Sequence, residues 1–185
     1  KKELHASLIE NAGKEGRRRR VLAVPDLGVL PKKLLEEILE RNHVVLNEKT
    51  VILESYKRSA TCLETILKHS VVEDEVSVLS EAEYEKYPLV LPLAECFLEK
   101  DIRLTYEEYH ACIGAAENYA KANENYQFNL TKIKGFHNIQ ITCFEGKWCM
   151  ISKNRAPAIH FVIHHPKLRY ALENMVLPIR DDEIE

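Results

Sequence analysis

The sequence predicts an α+β fold in which a helix is followed by a small antiparallel sheet of about four strands and a C-terminal helix. An amphipathic helical pattern begins at Thr105, short alternating segments follow it between residues 128 and 163, and a second helical pattern begins at Pro166. Residues 21–104 combine helical and hairpin patterns. We expect this N-terminal half to pack on the sheet and its two helices.

Both predicted helices of the C-terminal half have defined starts. Thr105 and Glu108 have the spacing of a capping box, in which two side chains satisfy backbone N–H groups reciprocally. Pro166 suits the first position of a helix, because its missing N–H would have no partner there. The apolar faces consist of Tyr109, Cys112, Ile113, Ala116 and Ala120 in the first helix, and of Leu168, Leu172 and Met175 in the second.

The predicted sheet is a meander whose tightest turn is at Glu145-Gly146. A two-residue loop at this point would place Cys149 opposite Thr142. Side chains alternate between the faces of a strand, so Cys143 and Cys149 are then expected on opposite faces.

The N-terminal half begins with a short apolar run at Val21–Val24, which predicts a first strand. A helix is predicted from Pro31 to about Asn42. Two β-branched runs between His43 and Leu53 predict a hairpin around Asn47-Glu48-Lys49. A second helix is expected from about Ser55 to His69.

The predicted organisation has three parts. Residues 1–20 form an N-terminal helix and a basic connector, and residues 181–185 form an acidic tail. Residues 21–180 form a single compact α+β domain, with a possible subdivision into 21–104 and 105–180. No linker separates these two halves, and both have the layered apolar pattern that a core requires.

Composition limits the classes of function. A net charge of −3 argues against a surface built entirely for nucleic acid. No apolar run is long enough to span a bilayer, so no membrane partner is expected. The five cysteines are dispersed and odd in number, which favours reduced thiols and an intracellular location. Because the chain begins at Lys1 rather than methionine, we interpret it as part of a larger protein.

The run Arg17-Arg18-Arg19-Arg20 is the most distinctive local feature. It has two alternative interpretations, a nuclear-import signal or phosphate-binding arm, and a solvated connector. If it binds nucleic acid, further basic residues of the sheet and last helix are candidates for the same surface. These residues are Lys132, Lys134, Lys167 and Arg169.

A second candidate is the polar cluster of His160, His164 and His165, at the end of the last strand and before a helix. Such a position can hold an anion or a general base, and it can equally be a polar sheet face. These histidines and the two late cysteines could supply zinc ligands, but the predicted register separates the cysteines. We therefore predict no metal site and no cofactor.

No catalytic residues are predicted, since the chain has no glycine-rich phosphate loop, nucleophile elbow or H-E-x-x-H motif. The sequence favours a non-catalytic protein-interaction or self-association module of a larger, nuclear or nucleocytoplasmic regulatory protein. A protein partner or a second copy is expected, and no small-molecule substrate. The alternative is a nucleic-acid-binding or nucleic-acid-processing domain that uses Arg17–Arg20 and a basic sheet face.

Overall fold

A computed structural model describes residues 15–93, 100–131 and 137–176 of the 185-residue chain. These residues form a mixed six-stranded sheet and five α-helices, which confirms the α+β class. The strands are β1 (Gly16–Leu22), β2 (Ser70–Ser77), β3 (Tyr126–Thr131), β4 (Ile139–Phe144), β5 (Trp148–Lys153) and β6 (Ile159–Ile163). The helices are α1 (Lys32–Arg41), α2 (Leu46–Leu67), α3 (Glu81–Lys86), α4 (Tyr106–Ala122) and α5 (Pro166–Met175).

The strand order is β3-β2-β1-β4-β5-β6, so the predicted four-stranded antiparallel meander is wrong in detail. Strands β4, β5 and β6 form a meander, whereas β3 lies at the far edge and pairs in parallel with β2. Strand β1 is parallel to β2 and antiparallel to β4, and so it joins the two halves of the sheet. Alternation in the sequence identifies a strand but not its neighbour, because the crossovers through α2 and α4 return the chain in parallel.

The predicted helix starts at Thr105 and Pro166 are confirmed. Thr105 and Glu108 form a capping box at α4, and Ser80 and Glu83 form one at α3. Pro166 occupies the first turn of α5. Local hydrogen bonding fixes these starts, and local sequence is therefore sufficient to predict them.

The predicted hairpin between His43 and Leu53 is wrong, because α2 extends from Leu46 to Leu67 as one 22-residue helix. The buried face of this helix includes Ile52, Leu63 and Leu67. Packing against the sheet overrides the strand preference of the β-branched residues at the start of the helix.

The predicted basic connector is also wrong, because Arg17–Arg20 lie within β1. The predicted domain boundary at residue 20 thus falls inside a central strand. The predicted N-terminal helix and the acidic tail at 181–185 lie outside the described residues.

Two cores lie on opposite faces of the sheet. The larger core includes Leu22, Leu39, Ile52 and Tyr109 and is covered by α1, α2 and α4. The smaller one lies under α5 and consists of Val21, Ile141, Cys143, Cys149 and Val176, with Leu172 and Ile151 packed against it. No helix in the described ranges combines the length and apolar character needed to cross a membrane.

Candidate functional site

The arginines of β1 are paired with carboxylates of β2. On one face, Arg17 and Arg19 contact Glu73 at 3.1 and 2.8 Å. On the other face, Arg20 donates to both oxygens of Asp74 at 2.6 and 2.7 Å, and to Asp26 at 2.6 Å. The parallel register explains the pairing, because it sets Arg19 beside Glu73 and Arg20 beside Asp74.

Asp74 is the buried centre of this network. Its side chain is fully buried, and the Tyr126 hydroxyl donates to its Oδ2 at 2.7 Å. Burial raises the pKa of the Asp74 carboxyl, while the guanidinium of Arg20 opposes that rise. Arg18 is buried too, with its guanidinium 4.2 Å from the centre of the Phe144 ring, and burial lowers its pKa. Arg17, Arg19 and Arg20 thus pair β1 with β2, whereas Arg18 packs on Phe144 of β4.

Of the remaining predicted basic residues, the structure describes Lys167 and Arg169. Lys132 and Lys134 lie outside the described residues. Arg169 in α5 donates to the Gly146 carbonyl at 3.0 Å, and Lys167 is exposed in the first turn of the same helix. Nucleic-acid binding and nuclear location stay predictions.

The three histidines of the predicted polar cluster have different surroundings. His160 lies in β6, with its Nδ1 2.9 Å from the Ser152 hydroxyl of β5. His164 is exposed after the strand, and His165 precedes α5 without a capping hydrogen bond from its side chain. Among the described residues, no group of three or more His, Cys, Asp or Glu side chains is placed to hold a metal ion.

The turn between β4 and β5 differs from the predicted two-residue loop. Phe144 pairs with Trp148, so the loop has an additional residue, and Gly146 adopts a φ of +70° that favours glycine. This changes the register by one residue, and Cys143 lies directly opposite Cys149. The prediction that the two cysteines occupy opposite faces is wrong.

A cavity of about 160 Å³ opens beside this cysteine pair. Its lining includes Cys143 of β4, Arg19 of β1, and Tyr170 and Glu173 of α5. None of the three clustered histidines lines this cavity.

The edge strand β6 carries the most exposed apolar surface of the sheet. Phe161 is 62% exposed, and Ile159 and Val162 are 42% and 44% exposed. The strand reads Ile-His-Phe-Val-Ile and contains no charged residue or proline. Edge strands normally carry such residues, because a bare edge pairs with strands of other chains.

Helix α5 extends this apolar surface. Tyr170 and Asn174, on one flank of the helix, line the cavity with Arg19 of β1. Leu168 and Met175 lie on the opposite flank of the helix, and both are more than half exposed. We call the exposed apolar residues Ile159 and Phe161 of β6 and Leu168 and Met175 of α5 the β6–α5 patch.

Neither Phe161 nor the cysteine pair was assigned a role from the sequence. A signal for the first was present, since β6 is an uncharged run of β-formers between Pro157 and Pro166. No protein-family model, curated protein or solved structure matches this chain.

Proposed function

We propose that this protein is a non-catalytic interaction module that self-associates through β6, so that the sheets of two copies join edge to edge. The observation that carries the proposal is that β6 is an edge strand without charged residues or proline, and that its exposed apolar residues can pair with the same residues of a second copy.

The self-complementarity follows from the order of residues in β6. A two-fold axis through Phe161 pairs Ile159 with Ile163 of the second copy, and Phe161 with its own equivalent. All three positions lie on one face of the strand, so the joined sheet has an unbroken apolar row. If the pairing register shifted by one residue, these three side chains of the second copy would lie on the opposite face of the joined sheet.

The backbone is oriented for this pairing. The Glu145 N–H donates to the Arg17 carbonyl at 3.0 Å, and the Asn154 N–H donates to the Asn138 carbonyl at 2.9 Å. In an antiparallel sheet, the backbone N–H and C=O groups of successive residues point alternately to the two neighbouring strands. Counting along β5 and β6 from these two bonds, the backbone groups of Phe161 point towards β5, and those of Val162 point away from it. Val162 thus presents an N–H and a C=O to an approaching strand.

The other edge of the sheet exposes less apolar surface. On β3, Tyr126 is buried in the larger core and Phe128 packs against it, whereas Leu130 is 51% exposed. The opposite face of β3 carries Gln127 and Asn129, and Asn129 donates to Glu75. Of the two described edges, β6 exposes three large apolar side chains, Ile159, Phe161 and Val162, whereas β3 exposes one, Leu130.

The predicted contact is small, since it uses five residues of each copy. Interfaces of this size are weak unless helices add area, so we expect a dissociation constant on the order of micromolar or weaker. The association should therefore depend on concentration.

Opposite charges at Phe161 test the proposed axis. We expect Phe161→Glu and Phe161→Lys each to abolish association, because each places like charges face to face across the axis. A one-to-one mixture of the two variants should associate again as a heterodimer. Sedimentation velocity over a concentration series measures all three states.

The matched control is Leu130→Glu on the β3 edge, where the side chain is 51% exposed and association should be unchanged. A mixture of the Phe161 variants that stays monomeric would overturn the two-fold register. A wild-type chain that stays monomeric throughout would overturn self-association and leave an extended segment of another protein as the occupant of this edge.

A further inference from the structure

We propose that Cys143 and Cys149 are a modification site, at which a small peroxide converts the two thiols to a reversible intramolecular disulfide. This inference is independent of the proposed self-association, because it concerns the β4–β5 hairpin and the cavity under α5.

The backbone geometry permits the bond. The Glu145 N–H bonds to Arg17 of β1, so Cys143, two residues earlier, also directs its backbone groups to β1. Cys143 and Cys149 are therefore a non-hydrogen-bonded pair of the β4–β5 ladder, in which Cα atoms lie about 4.5 Å apart. Disulfides span Cα separations of about 4.4–6.8 Å, so the bond requires little backbone movement.

The two sulfur atoms already interact. The Cys143 thiol hydrogen bonds to Cys149, which lowers the pKa of Cys149 and raises that of Cys143. The Cys149 thiol donates in turn to the Arg169 carbonyl of α5 at 3.7 Å. When the pair loses one proton, the remaining proton bridges the two sulfurs, and a shift of this proton makes either sulfur a thiolate.

A small oxidant can reach the pair from one side. Both cysteines are buried, but Cys143 lines the cavity of about 160 Å³ beside Tyr170 and Asn174. A water molecule occupies about 30 Å³ of liquid volume, so this cavity accommodates hydrogen peroxide. A large disulfide such as oxidised glutathione would not fit.

The chemistry balances with hydrogen peroxide as the oxidant. The Cys143 thiolate attacks one peroxide oxygen, the O–O bond breaks, and one water leaves after protonation, which gives a sulfenic acid. The Cys149 sulfur then attacks the Cys143 sulfur, the S–O bond breaks, and the second water leaves. Two thiols and one peroxide yield one disulfide and two waters, and a thiol reductant reverses the change.

Trypsin provides a direct assay on the full chain, because it cuts after Lys134, Lys147 and Lys153. The oxidised protein, alkylated before digestion, should yield peptides 135–147 and 148–153 joined by a reducible bond. The experiment is performed in the Phe161→Glu background, so that association does not affect the result.

Cys112 is the internal control, since it is buried in α4 and burial raises its pKa to about 12. We expect the 143–149 crosslink to form well before Cys112 is oxidised. The rate of 143–149 crosslinking should be unchanged in a low concentration of urea, because urea accelerates oxidation only by unfolding the chain. The same rate should fall several-fold in Asn174→Trp, because the larger side chain fills the cavity.

Three outcomes would overturn the proposal. One is oxidation of Cys143 to sulfinic acid without a crosslink, and another is simultaneous loss of Cys112 and the pair. The third is the persistence of both thiols at peroxide concentrations that oxidise a cysteine of the urea-unfolded chain.

Discussion

The two halves of the sheet are stabilised in different ways. The parallel strands β1–β3 pack on the larger core under α1, α2 and α4, and they bury the Arg20–Asp74 pair within it. The antiparallel strands β4–β6 pack on the small core under α5, a helix with no fully buried residue. The half with the weaker core is also the half with the exposed β6–α5 patch and the cysteine pair. The edge that we propose to self-associate and the cysteine pair that we propose to be oxidised thus lie in the half of the sheet with the smaller core.

The largest effect should come from the buried ion pair. Asp74→Ala leaves the buried guanidinium of Arg20 with only Asp26, and it removes the acceptor of the Tyr126 hydroxyl. We expect a loss of about 3–5 kcal/mol in the free energy of unfolding, measured with urea.

Two controls separate charge from packing at this position. Glu37→Ala removes an exposed i,i+4 partner of Lys33 and should cost less than about 0.5 kcal/mol. The double variant Arg20→Met/Asp74→Leu should recover most of the loss, since an apolar pair needs no compensating charge. A double variant as unstable as Asp74→Ala would mean that the network itself, and not the orphaned charge, stabilises the parallel half.

Core truncations compare the two halves directly. Leu39→Ala in the larger core should reduce stability by about 3 kcal/mol, because Leu39 is fully buried. Leu172→Ala under α5 should cost about 1 kcal/mol, since that side chain is only partly buried. Equal losses by urea unfolding would show that the halves are equally well packed and would remove the contrast.

The smallest effect concerns Glu75, which is 8% exposed on the outer face of β2. Burial raises the pKa of its carboxyl, and the hydrogen bond from Asn129 opposes this rise. A raised pKa in the folded state means that the stabilising contribution is present at low pH and is lost as the pH rises through that pKa. Glu75→Gln should therefore be more stable than wild type near neutral pH, by less than about 1 kcal/mol, and equal to it in acid.

Urea unfolding at about pH 4 and about pH 7 checks this prediction. A Gln variant that is less stable at the higher pH would instead mean that the Glu75 carboxylate has a cationic partner in the folded state.

Sequence reasoning succeeded where structure depends on neighbouring residues. The starts of α4 and α5 follow from Thr105 and Pro166, which act within one helical turn. The strand order could not be predicted in this way, because the partner of Arg20 is 54 residues away and no local pattern indicates it. For the same reason the sequence predicts a solvated connector for the arginine run, because it does not show that Glu73 and Asp74 lie beside these arginines in the fold.

The prediction of the candidate site failed because it depends on turn length and strand order. One additional residue in the turn around Gly146 reverses the facing of every side chain in β5 relative to β4, and it brings Cys143 and Cys149 together. The exposure of Phe161 depends on which strand is the last in the sheet, and that is again a question of strand order.

The central position of β1 has a consequence for synthesis. This strand leaves the ribosome before its partners, because β2 follows only after α1 and α2, and β4 follows β2 and β3. At about 5–20 residues per second, β1 waits several seconds for its first partner strand. Charges within an unpaired β-forming segment oppose its association with strands of other chains, and β1 carries four consecutive arginines. We therefore expect the arginines that lie beside β2 in the folded sheet also to limit aggregation of β1 before β2 is synthesised.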